Sequence, residues 1–147
     1  MKSIHILLIE DNEGDILLTK EAFEDAKILN QLSIARDGQQ AIQFLEKQEP
    51  YTNVDTPDLV LLDVNLPKRN GHEVLQYIKT SKNLKHIPVI MLTTSISEKD
   101  IAMSYENHAN CYITKPVEVE DFLNVVSSIE DFWIKIVQLP TKTAIDG

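Results

Sequence analysis

Three carboxylates, two threonines and a lysine stand at or just beyond the ends of short apolar runs. Glu10 and Asp11 follow Ile4 to Ile9, Asp63 follows Leu59 to Leu62, Thr93 and Thr94 follow Val89 to Leu92, and Lys115 follows Cys111 to Ile113. Crowded carboxylates repel one another at neutral pH and need either a cation or protons. A small hard ion such as Mg2+ takes oxygen ligands near octahedral geometry and keeps some of its waters. Asp11 and Asp63 can ligate it directly, Glu10 through a bound water, and the main-chain carbonyl of Asn65 can add another oxygen. A carboxylate can also be a nucleophile, giving an acyl phosphate. Phosphoryl transfer then needs alignment and charge neutralisation, which Mg2+ and the Lys115 ammonium can supply. The Thr93 hydroxyl and the backbone N–H groups of Asn65 and Thr94 can donate to the transferred group.

The apolar runs themselves read as strands covered on both faces. Three are strong (Ile4 to Ile9, Leu59 to Leu62, Val89 to Leu92); Leu32 to Ala35 and Cys111 to Ile113 are weaker. Segments of helical period lie between them. Leu18, Ala22, Phe23 and Ala26 predict one face of a first helix; Ala41, Ile42 and Leu45 a second; Val74, Leu75 and Ile78 a third. A fourth spans about Ser97 to Asn107, and Phe122, Val125, Val126, Ile129 and Trp133 form the stripe of a fifth. Start signals agree, with Asp37-Gly38 before the second helix and Ser97-Glu98 opening the fourth. Alternation of this kind implies right-handed βαβ crossovers and a parallel sheet with helices on both faces. Ligands in such a sheet gather beyond the carboxyl ends of the strands, where the chemical residues lie.

The chain has 147 residues, 43% hydrophobic and 25% charged, which fits one globular domain. No apolar run approaches the roughly 20 residues of a membrane helix, and the N-terminus lacks a signal peptide's apolar stretch. The single cysteine, Cys111, cannot form an internal disulfide. A cytoplasmic protein is expected. The net charge of −9 argues against general nucleic-acid binding, since phosphate backbones demand a basic surface.

Glu10-Asp11 after a strand, Asp63 closing Leu59-Val60-Leu61-Leu62, Leu66-Pro67 followed by Gly71, Thr93, and Lys115-Pro116 together resemble the receiver-domain signature of response regulators. The likeness spans roughly residues 3 to 133, with five separated motifs in the family's order. It implies a flavodoxin-like (βα)5 doubly wound parallel sheet of order 2-1-3-4-5. It implies Asp63 as phosphoacceptor, Glu10 and Asp11 as the metal pocket, Lys115 as a phosphate contact and a cis peptide before Pro116. Thr93 and Tyr112 would be a switch pair, Thr93 moving toward the phosphoryl group and Tyr112 turning inward, a two-state equilibrium biased by phosphorylation. Glu10 in place of a first aspartate is a common variant. Residues 1–135 would be the receiver domain and 136–147 a C-terminal extension, with no separate output domain.

A narrower likeness lies in Asp63-Val-Asn-Leu-Pro-Lys68, Leu92-Thr-Thr-Ser95, Ser104-Tyr-Glu106, Asn110 to Pro116 and Phe132-Trp133. These resemble the phytochrome-associated response regulators of cyanobacteria and related bacteria. The resemblance implies a sensor histidine kinase as phosphodonor, of the light-sensing phytochrome type.

Each residue alone has a plainer reading. An aspartate after a strand is more often a cap or turn residue than a nucleophile, and a lone lysine is usually a surface charge. Tyr112 in an edge strand usually just packs, and Thr93 can be a β-branched strand end. The four histidines (His5, His72, His86, His108) share no metal-ligand spacing, and Cys111 reads as a buried strand residue. Trp133, Ile136, Val137 and Leu139 make the C-terminal stretch more apolar than a last helical turn requires; a homodimer contact or a helix folded back on its own domain would account for it.

Two other functions compete with a phosphoryl switch. A phosphorylation-independent interaction module of the same fold would fit an altered Asp63 or Lys115, and both are intact. An aspartyl phosphohydrolase usually adds a second acid two residues after its nucleophile, where Asn65 stands. The switch turns over no external metabolite and is not an enzyme in the ordinary sense.

Overall fold

Apolar runs become strands and periodic segments become helices in the computed structural model, which describes residues 4–25, 30–94 and 111–126. The elements are β1 (Ile4–Ile9), α1 (Glu13–Asp25), β2 (Asn30–Ala35), α2 (Gly38–Leu45), β3 (Leu59–Asp63), α3 (Gly71–Thr80), β4 (Val89–Thr93), β5 (Cys111–Thr114) and α4 (Val119–Val126). Helix α4 is the helix that the sequence predicts as the fifth. The predicted fourth helix lies outside the described residues, as do Ala26, Ile129, Trp133, Ile136, Val137 and Leu139.

The five strands are all parallel, in the order β2-β1-β3-β4-β5. Leu8 stands beside Leu61, Leu61 beside Ile90, and Ile90 beside Cys111. Every residue of β1, β3 and β4 is buried, as parallel strands covered on both faces require. Alternate side chains feed two cores. Leu7, Ile9, Val60, Leu62, Val89 and Met91 pack with Phe44, Val74, Leu75 and Ile78 of α2 and α3. Ile6, Leu8, Leu59, Leu61, Ile90 and Leu92 pack with Ile16 and Phe23 of α1 and Phe122 of α4.

Helix starts follow local chemistry. Asp37 caps α2, its Oδ1 accepting the Gln40 N–H at 2.7 Å, and Asn70 caps α3 through the Glu73 N–H at 2.9 Å.

Several expectations need correction. Leu18 does not face the core: it is 50% exposed, beside Leu17 at 56%. The buried stripe of α1 is Ile16, Thr19 and Phe23. Phe23 sets that face by meeting Phe122 edge to face, 4.9 Å between centroids, and Leu18 lies roughly 140° round the helix from it. In α2, Ile42 is half-buried and Phe44 takes the core position beside Tyr51. Cys111 is half-buried, because β5 is an edge strand. Asp63 and Thr93 are the last residues of their strands rather than the first beyond them.

Strand order reverses between β1 and β3, which are neighbours in space while β2 lies outside β1. The crevice this creates opens at the carboxyl ends of those two strands.

Candidate metal and phosphoacceptor site

Glu10 leaves β1 with its backbone N–H on the Ala35 carbonyl at 2.9 Å, so the ends of β1 and β2 stay together. Its side chain is 1% exposed. One carboxylate oxygen, Oε2, accepts the N–H groups of Asp11 and Asn12 at 3.1 and 3.2 Å. The chain then turns into α1: the Asn12 side chain accepts the Asp15 N–H at 2.9 Å, and its carbonyl accepts the Ile16 N–H at 2.9 Å. Glu13 and Asp15 in the first turn suit the positive end of the helix dipole.

Asp63 ends β3, 3% exposed, and its Oδ1 accepts the Asn65 N–H at 3.2 Å. Val64 bonds across to the Leu92 carbonyl at 2.9 Å, and Gly71 returns to the Val64 carbonyl at 3.0 Å. The turn after the aspartate is thus tied to β4 on one side and to α3 on the other.

Lys115 follows β5, held by its backbone N–H on the Thr93 carbonyl at 2.8 Å and followed by a cis bond to Pro116, as the sequence resemblance implies. Its Nζ contacts Glu10 Oε1 at 2.7 Å, Asp15 Oδ2 at 3.0 Å and Asp63 Oδ2 at 3.3 Å. Only 10% of the lysine side chain is exposed.

The carboxylates of Glu10, Asp11 and Asp63 each offer an oxygen within 4.8 Å of the others. Glu10 and Asp63 are buried and Asp11 is exposed at the mouth. Burial pushes the Glu10 carboxyl up to about 7; the Lys115 hydrogen bond pulls it down in part, and neighbouring Asp63 pushes it up again. Burial alone would lower the Lys115 ammonium, but its bonds to Glu10 and Asp15 and the nearby Asp63 charge raise it above its usual value. Glu10, Asp15 and Asp63 share that one ammonium, and Asp11 adds a fourth acid at the mouth. An all-oxygen donor set with surplus negative charge, one member of which already resists ionising, fits a hard divalent cation.

Thr93 is 3% exposed at the end of β4 and pairs with Thr114. Tyr112 pairs with Met91, so by strand alternation it shares a sheet face with Met91 and Thr93, and it packs half-buried against that core. Thr94 is exposed beyond the strand, and Asn65 presents its N–H to Asp63. The sequence-predicted residues of β1, β3 and β5 therefore meet in one pocket. Two features go beyond expectation. Glu10, expected to serve the metal through a bound water, is enclosed beneath Lys115. Asp15 was missed altogether: it sits five residues after Glu10, a spacing that carries it one turn into α1 and back over the pocket.

Comparison with known proteins bears on this geometry. Residues 6–127 match the response regulator receiver domain family. The chain is 47% identical over 135 residues to response regulator Rcp1 of Synechocystis sp., covering 92% of each protein. A crystal structure of the Mn(2+)-bound form of Rcp1 superposes with a TM-score of 0.74 over 88% of this chain and 94% of that one, at 47% identity. The phosphorylated cyanobacterial phytochrome response regulator RcpA gives 0.76 at 44% identity, over 90% and 95% of the two chains. The bacteriophytochrome response regulator AtBRR gives 0.80 at 42% identity, over 87% and 93%.

Proposed function

The chain belongs to the response regulator receiver-domain family, and from that premise we propose that Asp63 accepts a phosphoryl group from the phosphohistidine of a sensor kinase. Proteins of this kind are response regulators of two-component phosphorelays, and this one is homologous to the phytochrome-associated group. The observation that supports the residue assignment is the Lys115 ammonium lying 3.3 Å from a buried Asp63 carboxylate, beside two further acids.

In the proposed step one Asp63 carboxylate oxygen attacks phosphorus. The O–P bond forms as the P–N bond breaks, and the imidazole departs with the electron pair and takes a proton from solvent. Bound Mg2+, held by Asp11 and Asp63 with Glu10 and the Asn65 carbonyl in support, would neutralise charge on the incoming phosphoryl oxygens. Lys115 supplies the second positive charge. The Thr93 hydroxyl and the N–H groups of Asn65 and Thr94 donate to the remaining oxygens. Attack of water on phosphorus returns the Asp63 carboxylate and releases inorganic phosphate, so the protein resets itself without an external substrate.

The phosphorylated state biases Thr93 and Tyr112, on one sheet face, toward a second arrangement that alters partner binding. A phytochrome-type light sensor is the proposed phosphodonor, on the strength of the homology to RcpA, Rcp1 and AtBRR. The receiver domain is taken as residues 1–135 and 136–147 as its extension, acting in the cytoplasm without direct DNA binding. The apolar residues Trp133, Ile136, Val137 and Leu139 suit a homodimer contact, which sedimentation with and without a phosphoryl mimic tests. Among the described residues no helix is long and apolar enough to cross a membrane.

Incubation with Mg2+ and acetyl phosphate, or with a labelled phosphorylated kinase, tests the reading. An acid-stable, base-labile adduct that requires Mg2+ and is absent from Asp63→Asn is expected. No adduct from any competent donor would instead favour a constitutive binding module.

A further inference from the structure

We propose that Asp15 is the positioning residue for Lys115, holding its ammonium in the pocket independently of the carboxylates that face the cation. The inference rests on the phosphoacceptor reading of Asp63 and adds a residue to it.

A lysine ammonium has three N–H donors, and here three carboxylates surround it at 2.7, 3.0 and 3.3 Å. Two of them, Glu10 and Asp63, belong to the cluster of oxygens that fits a divalent ion. Both would have a second task in a loaded site: Glu10 would help hold the cation, and one Asp63 oxygen would enter the acyl phosphate. Asp15 stands outside that cluster and has no such second task. It is the contact that Lys115 can keep through the whole cycle.

The backbone around Asp15 is built to hold still. Its N–H is bonded to the Asn12 side chain at 2.9 Å, and its carbonyl takes the hydroxyl of buried Thr19 at 2.8 Å. Thr19 occupies a core position of α1 where the helical stripe would otherwise carry an apolar residue. Lys115 is far less constrained, with a flexible four-carbon stem beyond its backbone bond to Thr93. A cation loaded beside Glu10 would repel the ammonium outward, and the Asp15 charge opposes that displacement.

Removing the charge leaves the ammonium free to drift, and misplacement of an aligning group slows transfer steeply. With the full chain, Mg2+ and acetyl phosphate, Asp15→Asn is expected to form the Asp63 adduct about tenfold more slowly. Asp15→Glu, which keeps the charge on a longer stem, should recover most of the rate. Mg2+ affinity, read by calorimetry, should be unchanged in Asp15→Asn. On a Lys115→Met background, Asp15→Asn should have no further effect, because the group it positions is gone. All rates are compared at a temperature where circular dichroism shows each variant folded.

A wild-type rate in Asp15→Asn would overturn the inference, as would an equal loss with and without Lys115. Weakened Mg2+ binding would also overturn it, by making Asp15 a metal ligand. No adduct in the wild-type protein would overturn the phosphoacceptor reading and the inference together; an adduct in wild type with an unaffected Asp15→Asn would overturn the inference alone.

Discussion

Gly71 and Asp63 touch across the turn that follows β3: a Cβ built on Gly71 would stand 2.3 Å from the Asp63 carbonyl oxygen and 2.8 Å from Val64 Cα. Only a hydrogen fits there, because α3 begins directly beneath the strand end that presents Asp63, the proposed phosphoacceptor. Gly71→Ala must therefore push helix and strand apart. We expect a loss of about 3 kcal/mol in urea unfolding, with the midpoint shifted and the slope kept. Slower adduct formation should accompany it, since the displaced atoms belong to Asp63.

Removing the Asp63 charge should stabilise the protein when no divalent ion is present. Three carboxylates compete for Lys115, and Glu10 resists ionising because it is buried and stands beside Asp63. Thermal melts of Asp63→Asn without Mg2+ should show a gain of about 1 kcal/mol over wild type. The advantage should shrink as Mg2+ is added, because binding then stabilises wild type. A lower melting temperature for Asp63→Asn in metal-free buffer would mean that the ion pair at 3.3 Å outweighs the repulsion.

The two faces of α1 should respond unequally. Leu18→Gln, at a half-exposed position, should change unfolding free energy by less than about 0.5 kcal/mol. Phe122→Ala removes the ring that Phe23 abuts and leaves a cavity between α1, α4 and the sheet, costing about 3–5 kcal/mol. Chemical denaturation of both variants checks the pair.

Acid should weaken the fold through His5. Burial lowers its pKa below the ordinary 6.5, with Asp58 and Asp55 restoring part of the shift. The ring sits in β1, buried, with Nε2 on the Ser33 hydroxyl at 2.8 Å. Above pH 6.5 both folded and unfolded chains hold it neutral. As pH falls below that value the unfolded chain takes up a proton that the native chain refuses, so stability drops until the lowered folded pKa is reached. Melting temperatures at about pH 7.5 and about pH 5.5 should differ more for wild type than for His5→Phe.

Much of this was legible in the sequence because burial on both faces leaves a plain mark. Ile4 to Ile9 gives β1 outright, and the runs at Leu59 and Val89 start their strands correctly. They end one residue short only because Asp63 and Thr93 are polar while their backbones remain in the ladder. Parallel topology then carries Glu10, Asp63 and Lys115 to a common rim without any knowledge of side-chain contacts. What escaped was set by distant partners. Asp15 looks like an ordinary acidic residue in a first helical turn, and the lysine that gives it meaning lies 100 positions away. Nothing local marks Glu10 as enclosed, because the lysine that covers it lies 105 positions away. Leu18 misled because Thr19, a polar residue, occupies the inward stripe by bonding its own helix.

The contact between Lys115 and Glu10 spans 105 positions. During synthesis the acidic corner emerges from the ribosome on the order of ten seconds before its counter-charge does. A nascent or truncated chain lacking Lys115 would display acids without the ammonium that answers them. The pocket is thus completed last, by the segment that also adds the sheet's outer strand, and its buried ion pair exists only once that segment has been made.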